Sequence, residues 1–223
     1  MKFYLEIDRS LVFTKPILRE AHAILDAIRL EHPGKRITWL HLRIESDWAK
    51  AAFTGCPFND AASIMSKIKH TIETPVESSE TCGSVRPTKD DELYIAGGMT
   101  EGVASSAKSL FRSVFVAKDI ESTRAFLEDN SKDALKELNI YAAAIDVSVG
   151  LLSDTIVGCD CSTFSSEVVL LRSLGRGQHN SVWTFSGPAY PEAEGLKAYQ
   201  CDPFGSNKSF NFPVWGGVDP NLE

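Results

Sequence analysis

Residues 37 to 48 read ITWLHLRIESDW, and the fold turns on how this stretch is placed. Its first eight residues, ITWLHLRI from Ile37 to Ile44, are rich in β-branched and aromatic side chains and follow a basic turn, so they predict a buried strand. On a strand His41 and Arg43 point to one face and Leu42 to the other. An arginine near the end of a buried strand is costly unless it is paired. Two arrangements satisfy it. Arg43 forms a structural ion pair with Glu45, Asp47 or Asp146, or it offers its planar, five-donor fork to a diphosphate.

Upstream, ILREAHAILDAIRL from Ile17 to Leu30 places Ile17, Leu18, Ala21, Ile24, Leu25 and Ile28 at helical spacing. Pro16 suits a first turn, Thr14 is a candidate cap, and His32-Pro33-Gly34 is the stop. Downstream, Asp47 to Phe53 predicts a short helix, and Asn59-Asp60 caps another that runs to about Thr71. Residues 74 to 91 are polar and rich in turn formers, a surface loop. Then come a strand at Glu92–Ala96 ending in Gly97-Gly98, a helix at Ser105–Phe111, a strand at Ser113–Ala117 and a helix at Ile120–Glu128. Asn139 to Leu152 is a nearly all-apolar helix that must bury most of its faces. A strand at Asp154–Gly158, a helix at Ser162–Leu174 and a last strand at Ser181–Phe185 follow.

Short apolar strands alternating with helices predict an α/β fold, a Rossmann-like parallel-centred sheet with helices on both faces, over residues 1–185. Residues 186–223 hold Tyr190, Tyr199, Phe204, Phe210, Phe212 and Trp215 among prolines and glycines. They predict an irregular tail that docks on a partner or on a further domain. In such folds ligands bind at the carboxyl ends of the strands. The strands at Ile37–Ile44 and Thr155–Gly158 both end in candidate ligand turns, so they are expected to be neighbours or near neighbours.

The second of those turns is Ser162-Thr163-Phe164-Ser165. Ser and Thr at a helix start are ordinary caps. They also place hydroxyls beside free N–H groups and a positive dipole end, a setting suited to phosphates. The Gly-rich and Lys pattern of an NTPase loop is missing. Gly97-Gly98 allows a close backbone approach to a ligand.

Composition excludes several other functions. The 223 residues are 43% hydrophobic and carry a formal net charge of −7, which repels nucleic-acid backbones and anionic membranes, so no nucleic-acid partner is expected. Five cysteines form no even framework, Cys159-Asp160-Cys161 lacks partner ligands, and the five histidines stand far apart, so neither a metal nor another cofactor is expected. No G-x-S-x-G elbow appears, and Cys56 sits in a Gly-Cys-Pro turn with no assignable histidine. The opening MKFYLEIDRSLVF has no long apolar core and no small-residue cleavage site, so it is not read as a signal peptide. No stretch reaches the ~18–20 apolar residues of a membrane span.

Taken together, HLRIESDW, ELYIAGG, AKSLFRSVFVAKDI and IYAAAIDVSVGLLSDTIVGCDCSTFSSEV resemble, in that order and over roughly residues 5 to 185, the GDP-fucose protein O-fucosyltransferases. The family has two Rossmann-like domains facing a cleft, as in GT-B glycosyltransferases, and the resemblance falls on the C-terminal, donor-binding one. It implies inverting, metal-independent transfer of fucose from GDP-fucose, or of another sugar from its nucleotide, to a Ser or Thr hydroxyl of a protein acceptor. By that resemblance Arg43 holds the diphosphate and assists its departure, His41 lines the donor pocket, and Asp47 orients Arg43. Ser162, Thr163 and Phe164 contact phosphates and nucleoside. Family members are usually found in the secretory pathway. The chain departs from the family in carrying Gly97-Gly98 where an acidic residue is common after the strand, and in having no room for the N-terminal domain that closes the cleft. The alternative function is therefore a catalytically inactive glycosyltransferase-like module, a structural or binding subunit of a larger assembly.

Overall fold

The computed structural model describes residues 13–42, 61–74, 85–97, 101–130, 140–159, 162–176, 182–184 and 195–198. Helix α1 (Lys15–Glu31) starts with Pro16 in its first turn and turns Ile17, Ala21, Ile24, Leu25 and Ile28 inward, the stripe that the apolar spacing dictates. It stops at His32, whose N–H bonds the carbonyl of Ile28 at 3.0 Å. Strand β1 (Ile37–Leu42) follows, and all six of its residues are buried, which explains why it reads as an unbroken apolar run rather than an alternation.

The other elements are α2 (Ala61–Glu73), β2 (Glu92–Gly97), α3 (Glu101–Leu110), β3 (Ser113–Phe115), a 3₁₀ turn at Ala117–Asp119, α4 (Glu121–Asn130), α5 (Ile140–Leu152), β4 (Thr155–Gly158), α6 (Thr163–Arg176), β5 (Val182–Thr184) and β6 (Lys197–Ala198). The strands form one sheet in the order β3-β2-β1-β4-β5-β6. The first five are parallel, and β6 runs antiparallel to β5. The chain therefore has the expected α/β, Rossmann-like architecture, and the two strands expected to be neighbours, β1 and β4, are paired directly.

Side-chain alternation divides the core into two layers. Ile37, Trp39, Tyr94, Ala96, Ile156 and Val182 pack with residues of α1, α5 and α6 on one face. Leu40, Leu42, Leu93, Ile95, Val157 and Trp183 pack against α2 and α3 on the other. The amino end of β1 is clamped on both sides. Arg36 donates to Asp91 Oδ1 through Nε (3.1 Å) and Nη2 (2.8 Å), and the Thr38 hydroxyl donates to Asp91 Oδ2 (2.9 Å). Asp154 accepts the Ile37 N–H on its side chain (2.8 Å) and donates its own N–H to the Ile37 carbonyl (2.9 Å). With one end fixed, the carboxyl end of β1 is set in position.

Some boundaries differ from expectation. β3 stops at Phe115 because the Asp119 carboxylate accepts the Val116 N–H (2.9 Å) and folds the chain into a 3₁₀ turn. α3 begins at Glu101 rather than Ser105. Strand β6 was not foreseen, since two residues carry no periodicity. It follows Leu196, which is buried and donates its N–H to the Thr71 hydroxyl of α2 (2.6 Å). The rest of 186–223, and the helix expected at Asp47–Phe53, lie outside the described residues.

Candidate functional site

From β1 the sheet grows one way through β2 and β3 and the other way through β4 and β5. The order reverses between β1 and β4, and in a parallel sheet such a reversal opens a crevice beyond the strands' carboxyl ends, where ligands bind. The register Leu40↔Val157 brings the ends of β1 and β4 to the same side of the sheet. His41 and Leu42, Gly158 and Cys159, and Gly97 at the end of β2 therefore border one region.

His41 lies on the α6 face and is 4% exposed. Its Nδ1 is 2.8 Å from the hydroxyl of Ser165. Its ring centroid is 4.5 Å from that of Phe164 and 5.9 Å from that of Trp39, while Trp39 and Phe164 stack at 6.1 Å and 11°. Three aromatic rings from β1 and the first turn of α6 thus form a single cluster. α6 starts just beyond β4. The Ser162 N–H bonds the Cys159 carbonyl (3.1 Å), and the Ser162 carbonyl accepts the helix's first i→i+4 bond from Ser166 (2.9 Å). Ser162 is buried, Thr163 exposed and Phe164 half-buried. The positive end of α6 consequently faces the carboxyl end of the sheet.

Gly97 has φ +91°, and a Cβ there would stand 2.7 Å from the Leu42 carbonyl oxygen and 3.4 Å from His41 Cδ2. The close approach it permits is to β1 and to the His41 ring. Gly97→Ala should therefore lower stability by about 2 kcal/mol, from left-handed strain and the carbonyl contact. The check is a lower urea midpoint at unchanged m value, and a midpoint equal to wild type refutes it.

Asp146 reaches the same end from α5. The Tyr94 hydroxyl donates to its Oδ1 (2.5 Å), the Gly97 N–H lies 3.4 Å from Oδ2, and its own carbonyl accepts the Trp39 indole N–H (2.9 Å). Burial lifts the Asp146 carboxyl from 3.8 to about 7, against the pull of the Tyr94 and Gly97 bonds. The Tyr94 hydroxyl is raised well above its ordinary 10, first by burial and then by the neighbouring Asp146 charge. On the other face Lys67 of α2 is lowered by burial, an effect that a nearby Cys159 opposes.

Of the residues singled out in the sequence, the structure brings His41, Ser162, Thr163, Phe164 and Gly97 to one end of the sheet. Arg43, Asp47 and Gly98 lie outside the described residues. Ser165 was foreseen as a member of the α6 turn but not as the partner of His41, Asp146 only as one of three candidate ion-pair partners of Arg43, and the Tyr94–Asp146 pair not at all. A lone aspartate in the apolar run IYAAAIDVSVGLL and a tyrosine inside a buried strand both require polar partners, and that was a usable signal. The bond from Ser165 to His41 left no such signal, because a serine in a first helical turn is ordinary. Among the described residues no group of three His, Cys, Asp or Glu could hold a metal ion, and no helix is long and apolar enough to cross a membrane.

No family model matches this chain, and no curated protein matches it in sequence. Two crystal structures of POFUT1 in complex with GDP are similar to it. Each is 14% identical, with TM-scores of 0.44 and 0.42, over 81% and 77% of this chain and 49% and 48% of theirs. The chain thus spans about half the length of the structures it matches.

Proposed function

We propose that the crevice beyond β1 and β4 binds the diphosphate of a nucleotide sugar, and that residues 1–185 are the donor-binding half of a fucosyltransferase-like protein that moves fucose from GDP-fucose to a Ser or Thr hydroxyl. The observation behind this reading is the convergence at the switch point of β1's last residues and α6's first turn, with His41 hydrogen-bonded to Ser165 and packed on Phe164. His41 and Leu42, which open the HLRIESDW motif, and the STF motif, both carrying the family resemblance, lie on those two segments.

In the reaction the acceptor oxygen bonds to the anomeric carbon as the bond from that carbon to the β-phosphate oxygen breaks, and the acceptor's hydroxyl proton is released to water. The electron pair stays on the diphosphate. Arg43 follows Leu42 directly, and its role is to donate two parallel N–H bonds to that growing charge, the kind of interaction that lowers a barrier. Asp47 orients Arg43, while Ser162, Thr163 and the α6 terminus hold the phosphates, and Gly98 borders the donor.

Calorimetric titration with GDP tests the reading. Wild type is expected to bind. Arg43→Ala should bind at least tenfold more weakly, since each charge-assisted bond contributes about 1.5–3 kcal/mol. Arg43→Lys should not restore affinity, because the planar fork is lost. A wild type silent at millimolar GDP ends the donor-site reading. Hydrolysis of GDP-fucose by the chain supports an enzyme, whereas binding without turnover supports the alternative, an inactive module of a larger assembly.

A further inference from the structure

We infer that Ser165 is a positioning residue for His41, fixing its neutral ring in the tautomer that carries hydrogen on Nε2; the consequence for ligand binding rests on the donor-site reading above. Ser165 is 2% exposed, and its hydroxyl lies where three elements meet. It accepts the Cys159 N–H from the end of β4 (3.2 Å) and stands 2.8 Å from His41 Nδ1 at the end of β1. The approach to β4 is so close that a Cβ on Gly158 would sit 2.8 Å from Ser165 Oγ and 2.9 Å from Ser165 Cβ. An alanine at 165 would fill nearly the same space, so packing alone does not call for the oxygen.

The donor count then assigns the hydrogen. Oγ uses one lone pair on the Cys159 N–H, and its own hydrogen, buried, needs an acceptor. Nδ1 of His41 is the acceptor within reach. A ring that accepts at Nδ1 carries its hydrogen on Nε2 when neutral. The adjacent Cδ2 stands 3.4 Å from where a Cβ on Gly97 would lie, so this side of the ring packs on the end of β2. Ser165 thereby ties the end of β4 to the hydrogen-bonding character of a ring on β1. In that tautomer the ring's second nitrogen is a hydrogen-bond donor without the ring being charged.

Nitrogen-15 NMR of the histidine-labelled full chain reads the tautomer directly, with His41 assigned by His41→Gln. Wild type should show the Nε2–H pattern above the titration range of the ring, and Ser165→Ala should lose that preference. A wild-type Nδ1–H pattern overturns the inference without any variant, as does a Ser165→Ala ring unchanged from wild type. GDP titration forms the second arm. If wild type binds, Ser165→Ala should bind about three- to tenfold more weakly with its fold intact by circular dichroism, and affinity within twofold of wild type breaks the link to the ligand. If wild type does not bind GDP, the donor-site reading falls, and the NMR arm still decides the tautomer.

Discussion

Raising the pH from 5 to 8 is expected to remove about 2 kcal/mol of stability through Asp146. In the unfolded chain this carboxyl titrates near 3.8, and in the fold burial lifts it to about 7. The native state therefore holds the proton more tightly than the unfolded state throughout that interval. Its contribution to stability is complete below the unfolded value. It is lost as pH rises from there through the folded one, and about one unit above 7 the change from this group is complete. Between pH 5 and the folded value of about 7 lie about two pH units at ~1.4 kcal/mol each, and the residue's partial exposure lowers that total to the stated figure. Urea unfolding at pH 5, 6, 7 and 8 should show the fall in wild type. Asp146→Asn has no proton to release, so its profile should be flatter by the same amount. The comparison is between slopes, because the amide also changes the bonds to Tyr94 and Gly97. Equal slopes in the two proteins would sink the prediction.

The fold was legible because its strands are buried on both faces and its helices on one or more. Burial of β1 on both faces leaves the run ITWLHL, and burial of one face of α1 leaves a stripe. Those patterns are local and survive in the sequence. The position of β1 beside β4 was legible as well, through the ligand-like turns that end both strands. What stayed hidden depends on pairing across the chain. Strand β6 is two residues held by a partner strand and by Thr71, far away in sequence. Ser165 takes its meaning from an N–H on β4 and a ring on β1.

The motifs themselves divide between two ends of the sheet. His41-Leu42 and STF lie at the carboxyl end. Asp154 of the SDTIVG stretch lies at the opposite end and bonds the backbone of Ile37 twice. Its place in the pattern is explained by clamping β1 to β4, with no ligand required. A motif match alone assigns both halves to the ligand, and the geometry separates them.

The same amino end holds the residue whose loss should destabilise the chain most, by about 3–5 kcal/mol on Arg172→Met. Arg172 of α6 is 1% exposed. Its Nη1 donates to the carbonyls of Gly150 (3.1 Å) and Ser153, and its Nη2 to that of Asp154 (3.3 Å). These carbonyls lie in the last turn of α5 and the link to β4, where a helix ends with unpaired acceptors and the negative end of its dipole. α5 supplies no basic residue in its own last turn, so α6 provides the cation. A buried guanidinium is costly to desolvate, and here three carbonyls repay that cost. Methionine fills the space but leaves acceptors unpaired at ~1–3 kcal/mol each, a large share of the ~5–15 kcal/mol that holds a domain. Lysine keeps the charge as a single point and cannot span three carbonyls, so Arg172→Lys should recover less than half the loss. Urea midpoints read both variants. Arg172→Met within 1 kcal/mol of wild type, or a lysine that restores full stability, would show that the carbonyls find other donors and that the fork is not what joins α5 to β4.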